Sequence, residues 1–220
     1  MTSSESTNAD TTEEKLADIR RRIDRLDQQI QTLISERAAL ASGVREVKGD
    51  LGSGSAYYRP DREAQVLRRV IERNAGPLSD SVMLRLFREI MSACLAQQEP
   101  MRIAYLAPEG TFTQQAVYRQ FGHSVNAIAQ PSIEDVFLSV QGGEADFGVV
   151  PVENSTQGVV SHTLDMFMHS DLKIAAEVEL RIHQHLLTQA RNLNDIERVY
   201  AHQQSLAQCK HWLAAHLGHA

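Results

Sequence analysis

The chain predicts two architectures in succession, an all-α segment and then an α/β one. Two patterns carry that division. From Leu16 through Ile19, Ile23, Leu26, Ile30 and Leu33, and again at Leu40, Val44 and Val47, apolar residues recur at alternating steps of three and four. That is the seam of a long helix packed on other helices. After Pro100 short apolar runs alternate with amphipathic ones, which predicts a mainly parallel sheet covered by helices. Charge divides at the same place: residues 1–100 carry 15 Lys and Arg against 16 Asp and Glu, and residues 101–220 carry 7 against 12.

Element by element, residues 1–12 are rich in Ser, Thr and acid and predict disorder. One helix is expected from Glu13 to Lys48, broken by Gly49, Gly52, Ser53, Gly54 and Ser55. A second begins at Pro60, with Asp61 and Glu63 suited to the positive helix end, and stops near Asn74–Pro77. A third starts at a Ser79 or Asp80 cap and ends before Pro100. In the second half, strands are expected at 102–107, 125–129, 146–152, 172–180, 182–188 and 196–200. Helices are expected at 114–121, 133–140, 159–169 and 205–216. The domains so defined are 13–100 and 101–220. The polar turns at Gly110-Thr111, Glu153–Thr156 and His202-Gln203 stand where such sheets bind ligands.

Composition excludes several classes. With 42% hydrophobic and 23% charged residues, the 220-residue chain reads as globular. The net charge of -6 and the lack of a basic run exclude nucleic acid as a partner. The first fourteen residues have no apolar core, so no secretory signal is expected, and no stretch is long enough to span a membrane. The cytoplasm is the expected compartment. Cys94 and Cys209 match no metal or disulfide spacing.

The most informative position is Arg37, which fills the one skipped place in the seam. A guanidinium there is costly unless an anion meets it. A buried carboxylate such as Glu36 or Asp27 from a neighbouring helix could supply that anion. So could a small ligand, because Lys48 lies about 16 Å further along nearly the same helix face. Arg20 is about 42 Å from Lys48 along a straight helix and cannot serve the same small ligand from the same chain. If all three cations share one site, a second copy of the helix supplies Arg20. The expectation is an intertwined homodimer with shared anion sites.

The run from Ile19-Arg20 to Asp27, with Glu36-Arg37, Lys48, Arg62-Glu63 and Gln97-Gln98, resembles the all-helical class of chorismate mutase. Ala107-Pro108-Glu109-Gly110-Thr111-Phe112-Thr113 and Gly148–Gly158 resemble the prephenate dehydratase signatures, which usually have Gly where Ala107 stands. Both in this order resemble the bifunctional chorismate mutase–prephenate dehydratase family of phenylalanine biosynthesis. The resemblance implies a three-helix mutase domain followed by a two-lobed, periplasmic-binding-protein-like dehydratase domain.

For the first half it implies that chorismate, a dianion, rearranges to prephenate in one pericyclic step without metal or cofactor. Arg37, and Arg20 from the other subunit, would clamp the carboxylates. Lys48 and Gln98 would face the ether oxygen, and Glu63 would accept the substrate hydroxyl. Arg59 stands where several members carry an Asp near that hydroxyl, and Cys94 where a small Ser often lines the pocket.

For the second half the resemblance implies loss of hydroxyl and carboxylate from prephenate, giving phenylpyruvate, water and carbon dioxide. Asn154 and Gln208 match polar site positions. The family's Tyr-Ser-His stretch reads Tyr200-Ala201-His202, and its Thr-Arg-Phe motif is missing. The dehydratase half is therefore expected to be incomplete and inactive. Two other classes fit the residues: a non-catalytic helical dimerisation protein, and a module that binds prephenate or an aromatic amino acid without turnover.

Overall fold

The computed structural model describes the backbone of residues 3–48, 58–97, 100–154 and 158–219, and the side chains of these except 3–11, 44–48 and 204. Its contacts divide the chain into two compact units: residues 1–101 with 121–126, and residues 102–120 with 127–220.

The first unit is helical. Helix α1 runs without a break from Ser3 to Lys48, α2 from Pro60 to Arg73 and α3 from Asp80 to Ala96. Residues 3–12, for which the composition leads one to expect disorder, are helical in backbone within α1. Glu5 lies in the first turn, where acid is stabilising, and extending a formed helix is far easier than nucleating one. Helix α2 opens with Pro60 in its first turn, beside Asp61 and Glu63, and has Arg73 in its last. Its buried residues are Leu67 and Val70. The connection to α3 is tied by Asn74, whose Nδ2 donates to the Leu78 carbonyl at 3.0 Å and to Asp80 Oδ1 at 2.6 Å. Ser79 occupies the N-cap of α3 but makes no side-chain cap bond, its hydroxyl lying 2.9 Å from that of Ser81. Helix α3 packs against both α1 and α2, which follows from its apolar content of Val82, Leu86, Phe87, Ile90, Cys94 and Leu95.

Residues 121–126 complete this unit. The ring of Phe121 meets that of Tyr58 at 5.6 Å. Glu89 of α3 accepts from the His123 amide at 3.1 Å, and its other oxygen is 2.8 Å from His123 Nδ1. The Ser124 amide donates to Ser92 Oγ at 3.3 Å.

The second unit carries a three-stranded sheet in the order β2-β1-β3. The strands are β1 (Arg102–Leu106), β2 (Asn126–Gln130) and β3 (Phe147–Val149). Helix α4 (Phe112–Phe121) joins β1 to β2, and α5 (Ile133–Gln141) joins β2 to β3. Strand β3 runs parallel to β1, with Ile103 opposite Phe147 and Tyr105 opposite Val149. Helix α5 is capped by Ser132, whose hydroxyl accepts from the Asp135 amide. It lies close on the sheet because Gly148 has no side chain: a Cβ there would come within 2.8 Å of Val136. Ala104, Val136 and Ala145 form the core beneath, flanked by Val140 and Val150.

Beyond β3 come an antiparallel pair, β4 (Glu153–Asn154) and β5 (Gly158–Val159), then α6 (Ser161–Met168) and α7 (Gln203–His216). Sequence reasoning expected a turn over 153–156 and a helix from 159. Instead β4 and β5 pair around residues that lie outside the described ones.

The strands expected at 172–180, 182–188 and 196–200 do not form. Among the described residues the sheets comprise β1 to β3 and β4 with β5, and residues 172–188 have no regular secondary structure. A β-rich run becomes a strand only when a neighbour completes its ladder. Without one the side chains stay open to water, with Ile174 74% and Leu187 90% exposed.

Candidate active site

Of the residues singled out, Arg20, Arg37, Lys48, Arg59, Glu63 and Cys94 belong to the helical unit, while Gln98 lies outside the described residues. Arg20, Arg37 and Lys48 all fall on α1. Because α1 is continuous, the separation of about 42 Å between Arg20 and Lys48 holds along its axis. Lys48 closes the helix, and its side chain is not among those described.

The seam of α1 faces water. Leu16, Ile19, Ile23, Leu26, Ile30 and Leu33 are 48 to 63% exposed, and Leu40 is 75% exposed. Arg37 is half-buried next to Ala38, itself buried. The expected partners Glu36 and Asp27 are exposed, and among the described residues no carboxylate pairs with Arg37 or Arg20. The structural ion pair expected as one alternative is therefore not seen among the described residues.

Glu63 sits in the first turn of α2 with a side chain only 13% exposed. Its Oε1 accepts from Arg88 Nε of α3 at 3.3 Å. Sequence reasoning missed Arg88. A signal was present: the connection between Arg73 and Asp80 is short, so α3 folds back along α2, and residues at similar distances from that turn meet. Cys94, on α3 like Arg88, is buried at 3% exposure and free.

Arg59 stands at the N-cap of α2 and bonds Asp61 through both Nε (3.4 Å) and Nη2 (3.3 Å). That hydrogen bond, opposed by desolvation and helped by the guanidinium charge, holds the Asp61 carboxyl below its ordinary value. The pair is open to solvent, at 61 and 71% side-chain exposure. Next to it, Arg62 Nη1 donates to Gln65.

In the second unit the turn after β1 is built around Gln114 of α4. Its Oε1 accepts from the Gly110 amide at 2.7 Å. Its Nε2 donates to the hydroxyl of Tyr105 at 3.1 Å and to that of Tyr118 at 3.4 Å. Burial, with Glu109 and Tyr118 nearby, pushes the Tyr105 hydroxyl up. On the β3 side, Thr163 of α6, wholly buried, donates to the Pro151 carbonyl at 2.7 Å.

Asn154 falls in β4, half-buried. Gln208 lies on α7, where its Oε1 accepts from Gln184 Nε2 at 3.0 Å. The two stand on different elements, and Gln208 spends its acceptor on a neighbouring amide. Among the described residues no group of three His, Cys, Asp or Glu could hold a metal, and no helix is long and apolar enough to cross a membrane.

Comparison with known proteins gives these positions a setting. Residues 103–220 match the prephenate dehydratase family and residues 19–99 match chorismate mutase type II. A bifunctional chorismate mutase/prephenate dehydratase of Stutzerimonas stutzeri is 53% identical over 207 residues, which are 92% of this chain and 57% of that protein. One from Pseudomonas aeruginosa is 51% identical over 208 residues, again 57% of its length. A prephenate dehydratase of Bacillus subtilis is 36% identical over 120 residues, 53% of this chain and 42% of that protein. The chain thus spans a little over half the length of the bifunctional relatives it matches. It belongs to the prephenate dehydratase family, with a segment matching chorismate mutase type II ahead of the dehydratase one.

Proposed function

We propose that the chain is a chorismate mutase that works as a homodimer, its mutase domain spanning residues 13–100 and its dehydratase-related domain residues 101–220. The observation that carries the reading is the open seam of α1 with Arg37 half-buried in it and, among the described residues, without a carboxylate partner. A stripe of seven exposed large apolar residues on one helix calls for a second helical surface. An antiparallel second copy of α1 would cover it and carry Arg20 toward the partner's Arg37 and Lys48.

In that assembly the cations take the role that charge complementarity assigns. Arg37 and the partner copy's arginine at position 20 bind the two carboxylates of chorismate through their guanidinium forks. Lys48 and Gln98 donate to the ether oxygen, where negative charge grows as the bond breaks. Glu63 accepts the ring hydroxyl. Arg59 and Cys94 border the substrate. The chain holds chorismate in its folded, reactive conformer, and the isomerisation then needs no nucleophile. Two free cysteines fit a reducing cytoplasm.

The second domain follows the two-lobed, periplasmic-binding-protein-like plan by resemblance, and prephenate is its cognate ligand. The 220-residue polypeptide does not dehydrate prephenate, because Ala201 offers no hydroxyl where the family's Tyr-Ser-His stretch has one.

The test is loss of chorismate absorbance with the purified chain, followed by acid treatment, which converts prephenate to phenylpyruvate. Enzyme-dependent loss with phenylpyruvate only after acid is expected. Phenylpyruvate before acid would overturn the inactivity of the second domain. A folded protein that leaves chorismate untouched would overturn the mutase reading.

A further inference from the structure

We propose that Arg88 is a positioning residue that fixes the carboxylate of Glu63 for the substrate hydroxyl, an assignment that rests on the mutase reading above. The geometry carries it. Arg88 Nε meets Glu63 Oε1 at 3.3 Å, across 25 residues of sequence, and joins α3 to α2. The side chains are 24 and 13% exposed. The other arginine pairs of the helical unit, among the described residues, differ in kind. Arg21–Asp18 and Arg59–Asp61 are local and more than half exposed, where an ion pair contributes little.

The bond uses one oxygen of Glu63. Among the described residues Oε2 has no hydrogen-bond partner, so it is the oxygen that can accept a hydroxyl. A glutamate has three side-chain torsions to restrain, and a mobile acceptor loses its effect in a reaction that depends on one conformer. Arg88 supplies the restraint from the adjacent helix. Because it bonds through Nε, the chain can set the distance by the packing of α2 on α3 alone. Arg88 does not touch the substrate in this assignment; it acts through Glu63.

A role limited to holding the helices together would affect every substrate alike, and that separates the two possibilities. The experiment measures kcat/KM of the 220-residue protein and its Arg88→Met, Arg88→Lys, Glu63→Gln and double Arg88→Met/Glu63→Gln variants. Two substrates are used: chorismate, and its analogue with the ring hydroxyl replaced by hydrogen. Arg88→Met is expected to lose about tenfold on chorismate, the scale of one charged hydrogen bond. It should lose less than about twofold on the analogue. Arg88→Lys should recover part of the loss, and adding Arg88→Met to Glu63→Gln should change chorismate turnover little. Equal losses on both substrates, no loss on either, or additive losses in the double variant would each overturn the role of Arg88. Turnover of chorismate by the unsubstituted chain keeps that failure distinct from failure of the mutase reading. Absence of such turnover would overturn both.

Discussion

A Cβ placed on Gly122 would lie 2.5 Å from the Cβ of Ser92 and 2.7 Å from its hydroxyl. The glycine also has φ of +76°, in the left-handed region. Both constraints act at the point where residues 121–126 meet α3. Gly122→Ala is therefore expected to destabilise the helical unit by about 2–4 kcal/mol, the sum of a strained backbone and an overpacked contact. Urea unfolding followed by circular dichroism checks it. An unchanged midpoint would mean that this contact does not form.

Arg102 and Asp146 clamp the start of the sheet from both sides of the β1–β3 pair. The Asp146 carboxylate accepts from the Arg102 amide at 2.9 Å and from its Nη2 at 3.1 Å, and the Asp146 amide donates to the Arg102 carbonyl at 2.8 Å. The carboxylate side chain is 4% exposed and the arginine 32%. Asp146→Ala should remove about 2–3 kcal/mol, less than a fully buried pair because the guanidinium keeps part of its hydration. The measurement is the urea midpoint of the sheet-containing unit, read by the fluorescence of Trp212 or by hydrogen exchange of the β1 amides.

Arg37→Ala tests the seam cation. Its side chain supports no described ion pair, so the fold should survive with an unchanged far-ultraviolet spectrum. Turnover of chorismate should fall by about 100-fold or more, the scale of removing one preorganised charge stabiliser. Wild-type-like kcat/KM would remove Arg37 from the site.

Leu26→Glu tests the covering of the same seam. Leu26 is 56% exposed in a single chain, so the substitution is harmless to a monomer and disruptive to a helical pair. Sedimentation should show a shift from dimer to monomer, with loss of mutase activity at dilute protein. A variant that sediments as a dimer and stays active would rule out this face as the interface.

Acid should loosen the helical unit through Glu89. Burial pushes its carboxyl up, but hydrogen bonds from the His123 side chain and amide, with the charges of His123 and Arg88, outweigh burial and hold it below 4.5. A depressed folded-state value means that this contribution is complete above the unfolded value and fades as pH falls through the folded one. The stability gap between the native protein and Glu89→Gln should therefore narrow as pH falls below about 4.5. Urea midpoints at several pH values give the curve; a gap that widens in acid would reverse the sign of the interaction.

Much of this fold is legible in the sequence where a pattern acts locally. Pro60 with Asp61 and Glu63 marks the start of α2, and the 3–4 recurrence of leucine and isoleucine marks α1. The runs around Ile103 and Phe147 give the parallel pair, since each carries its own apolar signal and α5 packs on both strands. What failed depends on partners far away in the chain. Ile174 and Leu187 read as strand residues, yet a strand exists only through its neighbour. Ser3 to Thr12 read as too polar to order, and their backbone is helical within α1. The site shows the same split. Arg37 stands out in its seam, because a charge breaks a local period. Arg88 does not, because its importance lies in Glu63, 25 residues earlier.

The helical unit counts residues 121–126 among its own, although α4 and much of the sheet belong to the other unit. Its autonomy is therefore not a property of residues 1–100. A polypeptide ended at Pro100 would strip Glu89 of its imidazole, Ser92 of its incoming amide and Tyr58 of its ring partner. Excising residues 1–100 on the evidence of sequence order alone would yield a weakened protein. The six borrowed residues act as a built-in ligand, and the same six added back as a peptide are the measure of how much the helices depend on their downstream neighbours.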